Sequence, residues 1–110
     1  MKTGIELIAE ERQRQIEKEG WTHEHDDMHE DDELALAAIC YAMPCDSNGD
    51  AKSTYVNCKN KSNWHNVLIP RNWFWPWDKK WWKPKPENRV NELAKASALI
   101  AAEIDRLQRA

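Results

Sequence analysis

The sequence predicts an all-α fold: three main helices, a long Trp/Pro-rich loop between the second and third, and a core completed by oligomerisation. Three observations lead there. Apolar residues recur at helical spacing in three stretches, each with its own start or stop signal. The 110 residues, 41 % hydrophobic and 32 % charged with a formal net charge of −3, suit one globular domain with a modest core rather than a disordered tail. Tryptophan is over-represented, with seven against one Phe and two Tyr, and so many indoles must find something to pack against. The expected organisation is a single helical domain over 1–110 with a loop insertion at about 44–86.

The first helix is expected from about Ile5 to Glu19. Thr3 and Glu6 form a T-x-x-E capping box, and Gly20 supplies the stop. Its inward stripe holds Ile5, Ile8, Ala9 and Ile16, with Arg12 in the middle of that stripe. A guanidinium is costly to bury unless it meets a carboxylate, a phosphate or several carbonyls. Arg12 is therefore either half of a structural ion pair, with Glu33 as the candidate partner, or an anion-binding group lining a pocket; surface snorkelling is the third reading.

The second helix is expected from about Asp32 to Met43 and closes at Pro44. Leu34, Leu36, Ala37, Ala38, Ile39 and Cys40 make it apolar nearly all round, which belongs in the middle of a bundle. So short a helix cannot cover itself, and either the Trp-rich segment or a second subunit must complete the core. The third helix is expected from about Glu87 to Arg109, with Leu93, Ala96, Ile100, Ile104 and Leu107 at helical spacing. Glu92 and Glu103 share one flank of it, about 16 Å apart at 1.5 Å per residue, too far to share one metal ion. By composition alone Lys95 reads as a surface lysine.

The insertion has two parts. Asp46 to Ser62 is polar and reads as a surface loop, with Ser53–Cys58 as a short strand within it. Trp64 to Pro86 holds six of the seven tryptophans. Those indoles either fill the core or offer one or two faces for stacking a base, and Lys79, Lys80, Lys83 and Lys85 alternate with them.

Several classes are excluded. A net charge of −3 does not suit a general nucleic-acid binder. No apolar run approaches the roughly 18 residues that cross a bilayer, and no signal-peptide h-region is present, so a cytoplasmic location without a membrane partner is expected. Cys40, Cys45 and Cys58 lack the CxxC knuckles of a zinc site and read as reduced thiols. Three glycines leave no P-loop or Gly-rich phosphate cradle, and there is no G-x-S-x-G elbow.

The densest run of potential ligands is Trp21 to Glu33, with Asp26, Asp27, His29, Glu30 and Glu33 among its donors. So many oxygen donors suit Mg²⁺ or Mn²⁺, while His23, His25 and His29 could add a softer metal. Glu30 and Glu33, at i and i+3, are expected on one side of the second helix's first turn. The competing reading is an acidic loop that caps a helix.

The stretch Glu11-Arg12-Gln13-Arg14-Gln15, then Glu19-Gly20-Trp21-Thr22, His25-Asp26-Asp27, His29, Glu33-Leu34-Ala35 and Tyr41-Ala42, resembles small phage and prophage proteins. So do Trp75-Pro76-Trp77-Asp78, Trp82-Lys83-Pro84 and the ending from Leu93 through Lys95-Ala96 to Glu103-Ile104. That family is described as the N-terminal domain of dATP/dGTP diphosphohydrolases and stands near the MazG-like all-α pyrophosphatases. The resemblance covers most of the chain except about Cys45 to His65, and it implies the host cytoplasm as the site of action. MazG-like enzymes hold Mg²⁺ with an ExxE on one helix and an ExxD on a later one. Glu30–Asp31–Asp32–Glu33 matches the first motif. No ExxD follows, since the third helix offers Glu92–x–x–Lys95 and Glu103–x–Asp105.

Three functions are then in play. The first is a metal-dependent nucleotide pyrophosphohydrolase, with Glu33 and Glu30 catalytic, Mg²⁺ or Mn²⁺ on Asp26, Asp27, His29, Glu30 and Glu33, and Arg12 and Lys95 neutralising phosphate charge. The second is a non-catalytic protein that sequesters a host signal nucleotide, cyclic or modified, using Arg12, Lys95, Trp77, Trp82 and Lys83. The third is a protein-interaction module whose Trp segment docks on a partner. A small-molecule nucleotide is the expected partner in the first two, and a homo-oligomer is expected in all.

Overall fold

The computed structural model describes residues 1–51, 54–57, 64–67 and 70–110. Among these residues it is all-α apart from one hairpin in the insertion. The described residues form four helices in order: α1 (Gly4–Lys18), α2 (His23–Asp27), α3 (Glu33–Ala42) and α4 (Arg89–Arg109). Between α3 and α4 lie strands β1 (Thr54–Asn57) and β2 (Trp64–Val67) and a 3₁₀ turn at Lys79–Trp81. The strands pair antiparallel, Thr54 opposite Val67 and Asn57 opposite Trp64. The expected strand at Ser53–Cys58 is thus present over Thr54–Asn57, while Ser53 and Cys58 lie outside the described residues. The five-residue α2 was not expected; Thr22 caps it, its side chain accepting from the His25 amide.

Local chemistry explains the helix ends. Thr3 and Glu6 close both halves of the capping box of α1. Gly20 sits at φ 73°, the left-handed conformation that ends a helix and that glycine adopts without strain. Asp32 precedes α3 at φ 64° with no side-chain cap bond, a strained position that a short polar side chain tolerates best.

The long helix α4 is the backbone of the fold, packing against α1, α2 and α3. The core joins Leu34, Ala37, Ala38 and Tyr41 of α3 to Ala96, Leu99 and Ala102 of α4. Small side chains on both helices let them approach closely. Trp21, Trp75, Trp77 and Trp82 pack half-buried against this cluster. The Trp-rich segment therefore does cover α3, as the all-round apolar character of that helix required.

Two expected faces are corrected. On α1 the buried side chains are Glu11 and Gln15, whereas Ile5 is 78 % exposed and Ala9 is exposed. Arg14 explains how a carboxylate can lie there, since its Nε and Nη2 each donate to Glu11 at 2.8 Å. On α4 the face turned inward is the alanine-rich one. Leu93, Ile100, Ile104 and Leu107, expected in the core with Ala96, are instead 45–58 % exposed. Only Ala96 of that set is buried.

The insertion is tied to the helices by one buried carboxylate. Glu92, 1 % exposed, accepts from Arg89 Nη1 at 2.9 Å and from the Lys85 amide at 2.8 Å, and it lies 3.0 Å from Arg71 Nη1. Arg71 and Arg89 in turn donate to the Tyr41 carbonyl at 3.3 and 2.8 Å, and Arg89 also donates to the Ala42 carbonyl. These are the unsatisfied carbonyls at the C-terminus of α3. One node thus joins loop, α3 and α4.

Candidate functional site

The site begins at the left-handed turn after α1. Across Gly20 the Trp21 amide donates back to the Gln15 carbonyl at 3.0 Å, which fixes the direction in which Trp21 leaves the helix. Its indole lies parallel to the His25 ring, with centroids 5.6 Å apart and planes within 1°. His29 meets His25 edge-on at 4.7 Å and Trp77 at 5.3 Å. Trp75 is perpendicular to Trp77 at 5.3 Å and to Tyr41 at 5.6 Å. Aromatic rings therefore run without a break from α2 to α3.

These rings, together with Trp81, surround a cleft of about 490 Å³, a volume in the range of small-molecule sites. Arg14, Lys83 and Lys95 supply its cationic side chains, Glu19 and Asp78 its carboxylates. Both acids are already engaged: Glu19 accepts from Arg14 at 2.9 Å, and Asp78 caps the 3₁₀ turn by accepting from the Lys80 amide. Arg14 is shared between Glu11 and Glu19, which raises its pKa further.

Lys95 is different. Its Nζ lies 4.9 Å over the Tyr41 ring, and no carboxylate among the described residues is within ion-pair distance of it. Burial pushes its pKa below the ordinary lysine value, partly opposed by the Glu11 carboxylate. Sequence composition read it as a surface lysine, but it is half-buried and lines the cleft. Lys83, which also lines it, is exposed and rests 5.9 Å over Trp81.

The other residues singled out in the sequence divide into several places. Arg12 does not line the cleft: it donates to Asp26 at 2.8 Å, so its ion-pair reading holds with Asp26 in place of Glu33 as the partner. Asp26 is fully buried between Arg12 and His25. Asp27 faces outward and accepts from Arg109 at 2.8 Å, which lowers its pKa. Glu30 precedes α3 and is exposed. Glu33 accepts from His29 at 2.5 Å and from the Asp31 amide at 2.8 Å; burial raises its pKa, but these donors more than offset that and hold it low. Trp77 lines the cleft, while Trp82 does not, being packed on Tyr41 at 4.8 Å with the Arg71 guanidinium 5.3 Å over its ring.

The fit to a hard cation follows from these positions. Mg²⁺ and Mn²⁺ need several oxygen donors converging on one point. Asp26, Asp27 and Glu33 each face a different basic group, and Glu30 lies away from them in solvent. Among the described residues no three His, Cys, Asp or Glu side chains form a metal-sized group. Cys40 is buried, with its thiol pKa raised by that burial, and Cys58 lies outside the described residues.

Sequence reasoning missed Trp21, His25, Tyr41, Trp75 and Trp81 as cleft residues. A signal existed for one of them: His25 stands four residues before His29, a spacing that brings side chains together on a helical path. No family model matches this chain, and no curated protein or solved structure matches it either. No helix is long and apolar enough among the described residues to cross a membrane.

Proposed function

We propose that the aromatic cleft binds a small-molecule nucleotide and holds it without hydrolysing it. The observation that carries this reading is Lys95, a half-buried ammonium with no carboxylate partner among the described residues, which lines the same cleft as Trp21, Trp75, Trp77 and Trp81. A desolvated cation of this kind is costly until an anion meets it. A nucleotide supplies both halves: its base stacks on Trp77 or Trp21, and its phosphate answers Lys95, with Lys83 closing from the rim. Arg12 and Trp82 support the cleft from behind rather than touch the ligand. Sequestration is favoured over pyrophosphohydrolysis because Asp26, Asp27 and Glu33 are committed to separate basic partners and Glu30 is exposed.

The reading is tested by incubating the protein with dNTPs, NTPs and cyclic di- and trinucleotides in Mg²⁺ or Mn²⁺. Chromatography is run before and after heat denaturation. The expected result is depletion of one nucleotide that returns intact when the protein unfolds. Release of pyrophosphate or a monophosphate, abolished in Glu33→Gln, would replace sequestration by hydrolysis. No depletion of any nucleotide would overturn the nucleotide reading as a whole.

A homo-oligomer belongs to the same proposal. Val90, Leu93, Ile100, Ile104 and Leu107 are 45–60 % exposed. With Ser97 they follow one another by alternating steps of three and four residues, the a/d spacing of a coiled-coil seam. The stripe is about 25 Å long at 1.5 Å per residue. A partner with the same periodicity fits it knob into hole, and a second copy of α4 has that periodicity by definition.

A further inference from the structure

His25 and His29 form a second feature at the cleft edge, one that nucleotide binding does not require. His25 Nδ1 lies 3.0 Å from Asp26 Oδ1, and His29 Nδ1 lies 2.5 Å from Glu33 Oε2. A carboxylate accepts, so each Nδ1 donates, and in the neutral ring each Nε2 then keeps its lone pair. Those two Nε2 atoms face each other at 3.4 Å. Two acceptors in that arrangement need a positive centre between them. A shared proton is one such centre and a metal ion the other. A tetrahedral ion with bonds of about 2.0–2.1 Å to imidazole nitrogen spaces two ligands about 3.3–3.4 Å apart.

We infer that His25 and His29 form a two-histidine site for a borderline-soft divalent ion of the zinc type, bound through both Nε2 atoms. The surroundings are those such a site needs. Asp26 and Glu33 orient the rings from their Nδ1 sides, the carboxylate–histidine–metal arrangement that fixes tautomer and direction. Trp21 stacked on His25 and Trp77 edge-on to His29 hold the ring planes. No third His, Cys, Asp or Glu side chain among the described residues joins them. The remaining positions therefore belong to water or to an oxygen of whatever occupies the cleft, since both histidines line it. The inference rests on the histidine geometry alone and stands whether or not the cleft binds a nucleotide.

The test uses metal alone. Purified protein is titrated with Co²⁺, read by its visible ligand-field absorption, and Zn²⁺ is then added as competitor. One Co²⁺ per chain, displaced by Zn²⁺ and with no thiolate charge-transfer band, is expected. His25→Gln and His29→Gln should each abolish the signal while circular dichroism keeps its helical form. Glu33→Gln should weaken binding by about 10–100-fold. A His23→Ala/His65→Ala double variant, which removes the other two histidines of the four, should bind as the parent does. Absence of saturable binding, its survival in the paired His25→Gln/His29→Gln variant, or its loss in the His23/His65 variant would overturn the assignment. Each of those results leaves the nucleotide test above untouched.

Discussion

Lys95 illustrates how a single residue can trade stability for binding. Its ordinary pKa is 10.5 and burial lowers it in the fold. The folded state therefore binds the proton less well than the unfolded chain, and the penalty is full below the depressed folded pKa and fades as pH rises from there to 10.5. Lys95→Met should raise stability at neutral pH by about 1 kcal/mol, with the gain shrinking as pH approaches 10.5, as denaturant melts at several pH values will show. Glu92 has the opposite sign. Burial raises its pKa, but Arg71, Arg89 and the Lys85 amide outweigh burial and hold it below 4.5. Its contribution is present above pH 4.5 and is lost as pH falls through the depressed value. Glu92→Gln, which leaves Arg71 buried without its counter-charge, should cost about 3–5 kcal/mol and show in the unfolding midpoint. Neither role was legible in the sequence. Periodicity sees apolar residues, whereas the fate of a charge depends on partners 14 to 48 positions away, as with Arg12 and Asp26 or Arg89 and Tyr41.

Among the elements, the turn at Gly20 connects local chemistry to the cleft most directly. A side chain at φ 73° is strained by about 1–2 kcal/mol, so Gly20→Ala should lower stability by that amount. It should also shift the tryptophan emission, because Trp21 loses its fixed departure from α1. The helices themselves were readable: the capping box, the glycine stop and the apolar run before Pro44 put α1, α3 and α4 within a few residues of their places. Which face of α4 turns inward was not. Alanines and larger aliphatics both satisfy a helical repeat, and only the close approach of α3, with its own Ala37 and Ala38, selects the alanine face. The short α2 escaped notice because polar residues alone, His23 to Asp27, carry no apolar period.

At the scale of the whole molecule, an open bundle leaves an aliphatic seam along α4 and an aromatic cleft at the α2–α3 end. If the seam is the contact between copies, light scattering after gel filtration should give a mass near twice the 12.9 kDa of one chain. Ile100→Lys with Ile104→Lys should return it to one chain with helical content intact; a monomeric parent would refute that contact. The acidic run shows how far sequence could carry the site. Its acidic residues could be read off the sequence, yet the separate basic partners of Asp26, Asp27 and Glu33 are a tertiary fact, as is the meeting of Trp77, Lys83 and Lys95 around one space. The central claim is that this space holds a nucleotide between indole and ammonium. Its most direct test is a tryptophan-fluorescence titration of the parent and of Lys95→Met with the nucleotide that the protein depletes. Saturable quenching that weakens at least about tenfold in Lys95→Met, the loss of one charge-assisted contact, is the predicted result. Equal affinity in a folded Lys95→Met protein would contradict it.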